Sequence, residues 1–148
     1  MSAMSAPAIV LALAGGAALA VQYAIMLAVM ERGVGLASAL IVNSAVGLVA
    51  LCAVEAARAG PHFVLEIAAR TRPWFVLPGL LGTFFVFASL YGYKHQGAAT
   101  TIVLVVAAQL VTGIVLDGLG LTGAVRPIGG ATLLGGGLLL AGAVLVVR

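Results

Sequence analysis

The stretch GAATTIVLVVAAQLVTGIVLDGLGLTG, residues 97–123, decides the fold class of this chain. It is an apolar run of helix-forming residues that ends in closely spaced glycines. At a rise of about 1.5 Å per residue, about 20 such residues cross a hydrocarbon core of about 30 Å. We therefore predict a membrane-spanning helix over residues 97–116. It carries one amide, Gln109, near its middle and one carboxylate, Asp117, at its end.

The composition shows that this stretch is typical of the whole chain. Of the 148 residues, 64% are hydrophobic and 7% are charged, and the mean hydropathy is +1.27. A soluble domain carries about 25% charged residues, so lipid must be the solvent for most of this surface. The net charge of +3 rests on seven cations and four anions and indicates no nucleic-acid partner. We expect an all-α integral membrane protein.

Four more apolar runs of similar length predict a bundle of five transmembrane helices. The predicted spans are residues 8–30, 34–57, 74–93, 97–116 and 127–147. They form a single transmembrane domain, residues 1–148, embedded in the lipid bilayer.

The connections between the spans are short. Residues 58–73 mix apolar and charged side chains and are predicted to form an interfacial, partly amphipathic loop. Residues 94–96 (Lys-His-Gln) are predicted to form a polar turn. No Lys or Arg precedes Arg32, so the first helix lacks the charged region of a signal peptide and is expected to be retained.

The cations of the loops give no clear membrane orientation. With five spans, one side of the membrane receives four arginines and the other side receives two arginines and one lysine. The first set is Arg58, Arg70, Arg72 and Arg126, and the second is Arg32, Lys94 and Arg148. The rule that cations collect on the cytoplasmic side therefore does not determine the orientation of the chain. Either the signal is weak in a short chain, or copies insert both ways and pair head to tail.

Polar side chains at mid-depth are the candidates for function, because they are costly in lipid. All of them are neutral: Gln22, Asn43 with Ser44, Ser89 and Gln109. The carboxylates Glu31, Glu55 and Asp117 fall at predicted helix ends. A proton-coupled cation exporter, such as a four-helix small multidrug exporter, uses a buried carboxylate, so the sequence disfavours that mechanism.

A substrate site is predicted from the amides and two tyrosines, namely Gln22, Asn43, Gln109, Tyr23 and Tyr91. Thr101, Val105, Gln109 and Thr112 fall on one helical stripe, which predicts a polar strip facing a pore. The alternative for the amides is hydrogen bonding between helices, and threonine also bonds its own helix.

No set of residues indicates an enzyme. A Ser/His/Asp arrangement, a phosphate-binding glycine loop and a cluster with metal-ligand spacing are all missing from the sequence. We expect no catalytic residues, no cofactor and no metal site. The last span, with six glycines from residue 129 to 142, is expected to be a scaffold. Its small-xxx-small pairs, 131/135 and 137/141, favour close helix packing.

Several short motifs, in order, resemble those of a known family. The third span shows a tryptophan, glycines and a valine at Trp74, Gly79, Gly82 and Val86. The fourth span and its turn show Gly97-Ala98, Ala108-Gln109, Asp117, Gly118, Gly120 and Gly123. The N-terminal half adds Gln22 and the stretch NSAVG at residues 43–47. Together these motifs resemble the half-length, five-helix branch of the bacterial drug/metabolite transporter superfamily, the YdcZ-like proteins.

The resemblance implies a small transporter unit of the bacterial inner membrane that works as a pair, often antiparallel. The family pattern differs here in that Ile25 and Met26 occupy the region where an asparagine is expected after Gln22. We expect a secondary transporter that moves a small polar or weakly charged metabolite or drug-like solute. It would work as an antiparallel homodimer or with a paralogous membrane partner. Two five-helix units paired in this way would form an inverted repeat of ten helices.

Two alternatives remain open. The first is a small-multidrug-like proton/cation antiporter that uses Glu55 or Asp117. The second is a membrane subunit of a larger complex that transports nothing itself.

Overall fold

Helices form all the regular structure in the described part of the chain, residues 6–121 and 129–147 of a computed structural model. The all-α prediction is confirmed. We number the α-helices α1 to α6: Ala6–Glu31, Leu36–Ala59, Phe63–Arg70, Val76–Gln96, Ala98–Gly118 and Gly130–Val147. A 3₁₀ turn, Pro73–Phe75, directly precedes α4.

Five of these elements are long and apolar enough to cross a membrane: α1, α2, α4 with its 3₁₀ turn, α5 and α6. Their mean hydropathies lie between 1.7 and 2.3. The five predicted spans are therefore confirmed, with ends that shift by a few residues. The predicted start of the fifth span at Pro127 lies outside the described residues.

The turn predicted at residues 94–96 is wrong. Helix α4 continues through Lys94 and His95 to Gln96, and α5 begins at Ala98. Polarity was a poor guide here because lysine and glutamine are good helix formers. The chain turns at Gly97 alone, whose φ of 83° is accessible to glycine at little cost.

The predicted loop of residues 58–73 is mostly helical. Helix α2 extends to Ala59 and ends at Gly60, and α3 follows at Phe63. At the end of α3, Thr71 Oγ1 donates a hydrogen bond of 2.7 Å to the carbonyl oxygen of Ile67. The location of α3 at the membrane interface stays a prediction.

The chain divides into two compact units. The first comprises Met1–Val21 with Tyr91–Arg148, and the second comprises Gln22–Leu90. In the first unit, α5 and α6 pack against each other through small residues. A Cβ atom at Gly136 would lie 3.6 Å from the side chains of Leu110 and Ile114.

The small residues that α6 uses for this contact differ from the predicted pairs. Gly136 and Ala143 are buried, whereas residues 131, 135, 137 and 141 are exposed. Two small residues seven apart lie on nearly the same helical face, as do residues four apart. Within the chain, α6 therefore packs through other small residues, and packing of the predicted pairs across a dimer stays a prediction.

A second close contact in the first unit joins the end of α4 to the start of α5. A Cβ atom added at Gly92 would lie 2.7 Å from Thr101 Cγ2 and 2.9 Å from Thr101 Oγ1. Thr101 is 5% exposed, and its hydroxyl donates a hydrogen bond of 2.8 Å to the carbonyl oxygen of Gly97. The two helix ends therefore form a tight hairpin in which an alanine at position 92 would force Thr101 to shift.

Candidate functional site

A hydrogen bond between two amides is the main polar contact that links different spans in the second unit. Gln22 Nε2 in α1 donates to Asn43 Oδ1 in α2 over 2.7 Å. Both side chains are partly buried. Gln22 lies nine residues before the end of α1 and Asn43 seven residues after the start of α2. At about 1.5 Å per residue, both lie roughly 10–14 Å from the connection between the helices, near mid-depth of a core of about 30 Å.

The amide pair has hydrogen-bonding groups to spare. A primary amide offers two N–H donors and one carbonyl oxygen with two lone pairs. Within the described residues, neither Gln22 nor Asn43 makes a side-chain hydrogen bond other than the one between them. The Gln22 carbonyl oxygen and the Asn43 NH₂ group therefore remain available to a solute or to water. The pair therefore offers a solute both an acceptor and a donor.

Tyr23 occupies a different environment from its neighbour Gln22. Its side chain is 2% exposed, and its hydroxyl faces that of Ser89, which is also 2% exposed. The two hydroxyls interact without the full geometry of a hydrogen bond. Met26, three residues on, is buried on the same side of α1. Tyr23 therefore lies in the interior of this unit, and its predicted role in a substrate site stays a prediction.

Ser89 is the residue that the predicted site missed. Its signal in the sequence is a lone serine in an apolar span, which is equally typical of packing. Only its contact with Tyr23 distinguishes it.

The other two predicted site residues belong to the first unit. Gln109 in α5 has an exposed side chain, and it makes no side-chain hydrogen bond within the described residues. Tyr91, near the end of α4, is 53% exposed and stacks on His95 with ring centroids 4.2 Å apart. Of the five predicted site residues, Gln22, Asn43 and Tyr23 lie in the second unit. Gln109 and Tyr91 lie in the first.

The predicted polar strip on α5 divides into two parts. Thr101 is buried and bonds the backbone of its own helix end, so it serves the hairpin. Gln109 and Thr112 are exposed. Their surface is the part of the strip that is open to a solute or to another protein.

The carboxylates proposed for an antiporter lie in the last turns of their helices. Glu55 Oε2 accepts a hydrogen bond of 3.3 Å from Arg58 Nη1, and the Glu55 side chain is 40% exposed. Asp117 is the last residue but one of α5 and is half-buried. An ion pair with Arg126 across the glycine-containing turn is a further possibility in the sequence, and Arg126 lies outside the described residues.

Comparison with known proteins places these features in a family. The profile of the family described as "Putative inner membrane exporter, YdcZ" matches residues 7–145. The inner membrane protein YdcZ of Escherichia coli K12 is 39% identical over 141 residues, which cover 92% of this chain and 91% of that protein. No solved structure matches.

Proposed function

The chain belongs to the YdcZ family of the drug/metabolite transporter superfamily, and from that premise we propose that it is a secondary transporter working as a dimer. It is a multi-pass protein of the bacterial inner membrane, and its family supports a general role in transport. We propose that the solute is a small polar or weakly charged metabolite or drug-like molecule. The hydrogen bond between Gln22 and Asn43 is the observation that carries this proposal.

The chemistry of the amide pair favours a neutral or weakly charged solute. The pair offers a carbonyl acceptor and an amide donor at mid-depth, and Gln22 and Asn43 carry no net charge. A strongly charged solute would need a counter-charge in this low-dielectric region. The side chains of α1 and α2 that are charged at neutral pH lie near the helix ends, at Glu31, Glu55 and Arg58.

Hydrogen bonding between helices is the competing explanation for the pair. Such bonds contribute about 0.6–2 kcal/mol in membranes, so they can be purely structural. Partial exposure and unused donors and acceptors favour a binding role, because a structural amide pair is stable when it is sealed from competing groups. If the pair binds the solute, a substitution reduces transport even where the stability of the fold is unchanged. If the pair is only structural, transport falls only where stability falls.

The dimer is proposed from a different observation. Gln109 lies in the middle of α5, exposed and without a side-chain partner in the described residues. An amide left in lipid costs free energy, and a partner subunit or a solute-filled space would satisfy it. Five spans and balanced loop cations suit an antiparallel homodimer, with a paralogous partner as the other arrangement.

Transport by the purified chain in proteoliposomes tests the first proposal. Electrical recording on a solid-supported membrane would screen neutral metabolites, singly charged metabolites and apolar drugs. We expect a response to at least one neutral or singly charged compound, which Gln22→Leu and Asn43→Leu each abolish. Ser38→Ala, at an exposed serine of α2 outside the predicted site, is the matched control and should retain transport. Unchanged transport in both amide variants, with normal expression, would exclude the pair as the site.

The same assay separates the antiporter. If Glu55→Gln or Asp117→Asn abolishes a proton-dependent current while the amide variants retain it, the carboxylate mechanism replaces the one proposed here.

Reporter fusions at the C-terminus test the antiparallel homodimer. A periplasm-active and a cytoplasm-active reporter should both give signal when copies insert in both directions. A single fixed orientation would remove the homodimer and leave pairing with an oppositely inserted paralogue.

A further inference from the structure

A groove in the second unit lies between the last turn of α2, the amphipathic helix α3 and the start of the next span. Its volume is about 340 Å³, which falls in the range of about 300–1,000 Å³ typical of small-molecule sites. Its lining combines three charged side chains with three apolar ones. The charged residues are Glu55, Glu66 and Arg70, and the apolar residues are Phe63, Ile67 and Phe75.

We propose that this groove binds the headgroup of a zwitterionic aminophospholipid, with its ammonium group at the carboxylates and its phosphate at Arg70. The site goes beyond the proposed transport function and does not depend on it. The occupant is a lipid of the surrounding bilayer and not the transported solute.

The charges of the groove match such a headgroup. Two carboxylates, Glu55 and Glu66, complement an ammonium group, and the guanidinium of Arg70 offers paired N–H donors to a phosphate. An anionic lipid without an ammonium group would face two carboxylates and one cation. A cationic amphiphile without a phosphate would leave Arg70 unmatched.

The charged groups on α3 are available for a ligand. Glu66 and Arg70 lie four residues apart on one helical face, and both are exposed. Within the described residues, neither makes a side-chain hydrogen bond or an ion pair. Glu55 shares one carboxylate oxygen with Arg58 at 3.3 Å and keeps the other. Glu55, Glu66 and Arg70 therefore line the groove, and within the described residues they form no ion pair with one another.

The apolar side of the groove suits a lipid more than a soluble zwitterion. Phe63, Ile67 and Phe75 line it, and Phe75 is followed directly by the membrane-spanning helix α4. A headgroup at the three charged residues would leave its acyl chains beside the apolar surface of the spans. Helix α3 thus has the position expected of an element that reads headgroups at the boundary between lipid and water.

The hydrogen-bonding capacity of the ammonium group sharpens the choice of lipid. A primary ammonium carries three N–H donors for the carboxylates, whereas a quaternary choline has none. Charge-assisted hydrogen bonds are roughly twice as strong as neutral ones. We therefore expect phosphatidylethanolamine to bind more tightly than phosphatidylcholine with the same acyl chains.

Native mass spectrometry of the full chain in detergent tests the proposal. The probes are phosphatidylethanolamine, phosphatidylcholine and phosphatidylglycerol with identical acyl chains. We expect phosphatidylethanolamine to bind about tenfold more tightly than either of the others. Glu66→Gln should reduce that preference to about twofold or less, because it removes a carboxylate that binds the ammonium group. Arg70→Gln should weaken binding of all three lipids, because all three carry the phosphate.

Two matched variants control for charge alone. Arg72→Gln removes a nearby exposed arginine that does not line the groove, and Glu31→Gln removes an exposed carboxylate at the end of α1. Both should keep the affinity and the preference. The unfolding temperature of each variant without added lipid shows whether loss of binding is loss of folding. Equal binding of the three lipids, tighter binding of phosphatidylglycerol, an undiminished preference in Glu66→Gln or unchanged affinity in Arg70→Gln would overturn the proposal.

Discussion

The amides of α1 and α5 are the same kind of group in opposite situations. Gln22 is bonded to Asn43 over 2.7 Å within its own unit, whereas Gln109 is exposed and has no side-chain partner in the described residues. Both lie in spans where water is scarce. An amide in lipid must find a partner or raise the free energy of the fold. The contrast therefore separates an amide that is bonded within its unit from one for which we propose a partner outside the unit.

The two units also join their helices in different ways. In the first unit, Gly92 lies tightly against Thr101, and Gly136 packs against Leu110 and Ile114. In the second, a side-chain hydrogen bond links α1 to α2. Helices in lipid gain nothing from burying apolar surface against each other, so close packing and interhelical hydrogen bonds must supply the attraction. This chain uses the first means in one unit and the second in the other.

The largest effect is expected from Gly92→Ala. Its new Cβ atom would lie 2.7 Å from Thr101 Cγ2, and relieving such overpacking costs about 1–3 kcal/mol. Reversible unfolding of the purified chain in mixed micelles measures the change. Gly113→Ala, where a Cβ atom meets nothing within 4 Å, is the control and should not destabilise.

A rescue variant tests the cause of that effect. Adding Thr101→Ala to Gly92→Ala removes both atoms that clash and should recover part of the loss. If Gly92→Ala is as stable as the parent chain, close packing does not set the hairpin, and the contrast between the two units fails.

A smaller effect is expected from breaking the amide pair. Gln22→Leu and Asn43→Leu should each cost about 0.6–2 kcal/mol, because each leaves the other amide without its partner. The double variant should cost less than the sum of the two single variants, and the difference measures the coupling. Strict additivity in the unfolding assay would show that the 2.7 Å contact contributes nothing.

The smallest effect is expected from Gln109→Leu. Because Gln109 has no side-chain partner among the described residues, its loss should change the unfolding free energy of the monomer by less than about 0.5 kcal/mol. Dimerisation or transport should fall instead, as measured by in-membrane energy transfer or proteoliposome uptake. A cost above about 1 kcal/mol in the monomer would place a partner for Gln109 inside the chain.

The five spans could be predicted because each is a long apolar run between polar or glycine-containing breaks. The helix ends were harder, since Lys94 and Gln96 are polar yet helical, and Gly97 alone forms the turn. Residues 58–73 showed an amphipathic pattern, from which the short helix α3 could be anticipated only in part.

The residues of the candidate site could be named from the sequence, but most of their contacts could not. Gln22 and Asn43 stood out as amides in apolar helices, and their similar distances from the α1–α2 connection are consistent with pairing. The contact of Gly92 with Thr101 was hidden because the chain has 20 glycines and none is marked by composition as a point of contact. Burial of Tyr23 against Ser89 depends on packing between helices, which periodicity does not record.

The single-residue connection at Gly97 bears on how the chain enters the membrane during synthesis. With no loop between α4 and α5, we expect the two spans to insert as one hairpin. Translocating the hairpin tip carries one lysine, Lys94, at a cost of about 2.5–3.5 kcal/mol at most. The apolar surface of two spans, with mean hydropathies of 1.7 and 2.3, offsets that cost. Because the cost of moving this tip across the membrane is small, we expect newly made copies of this chain to take both orientations before any partner selects between them.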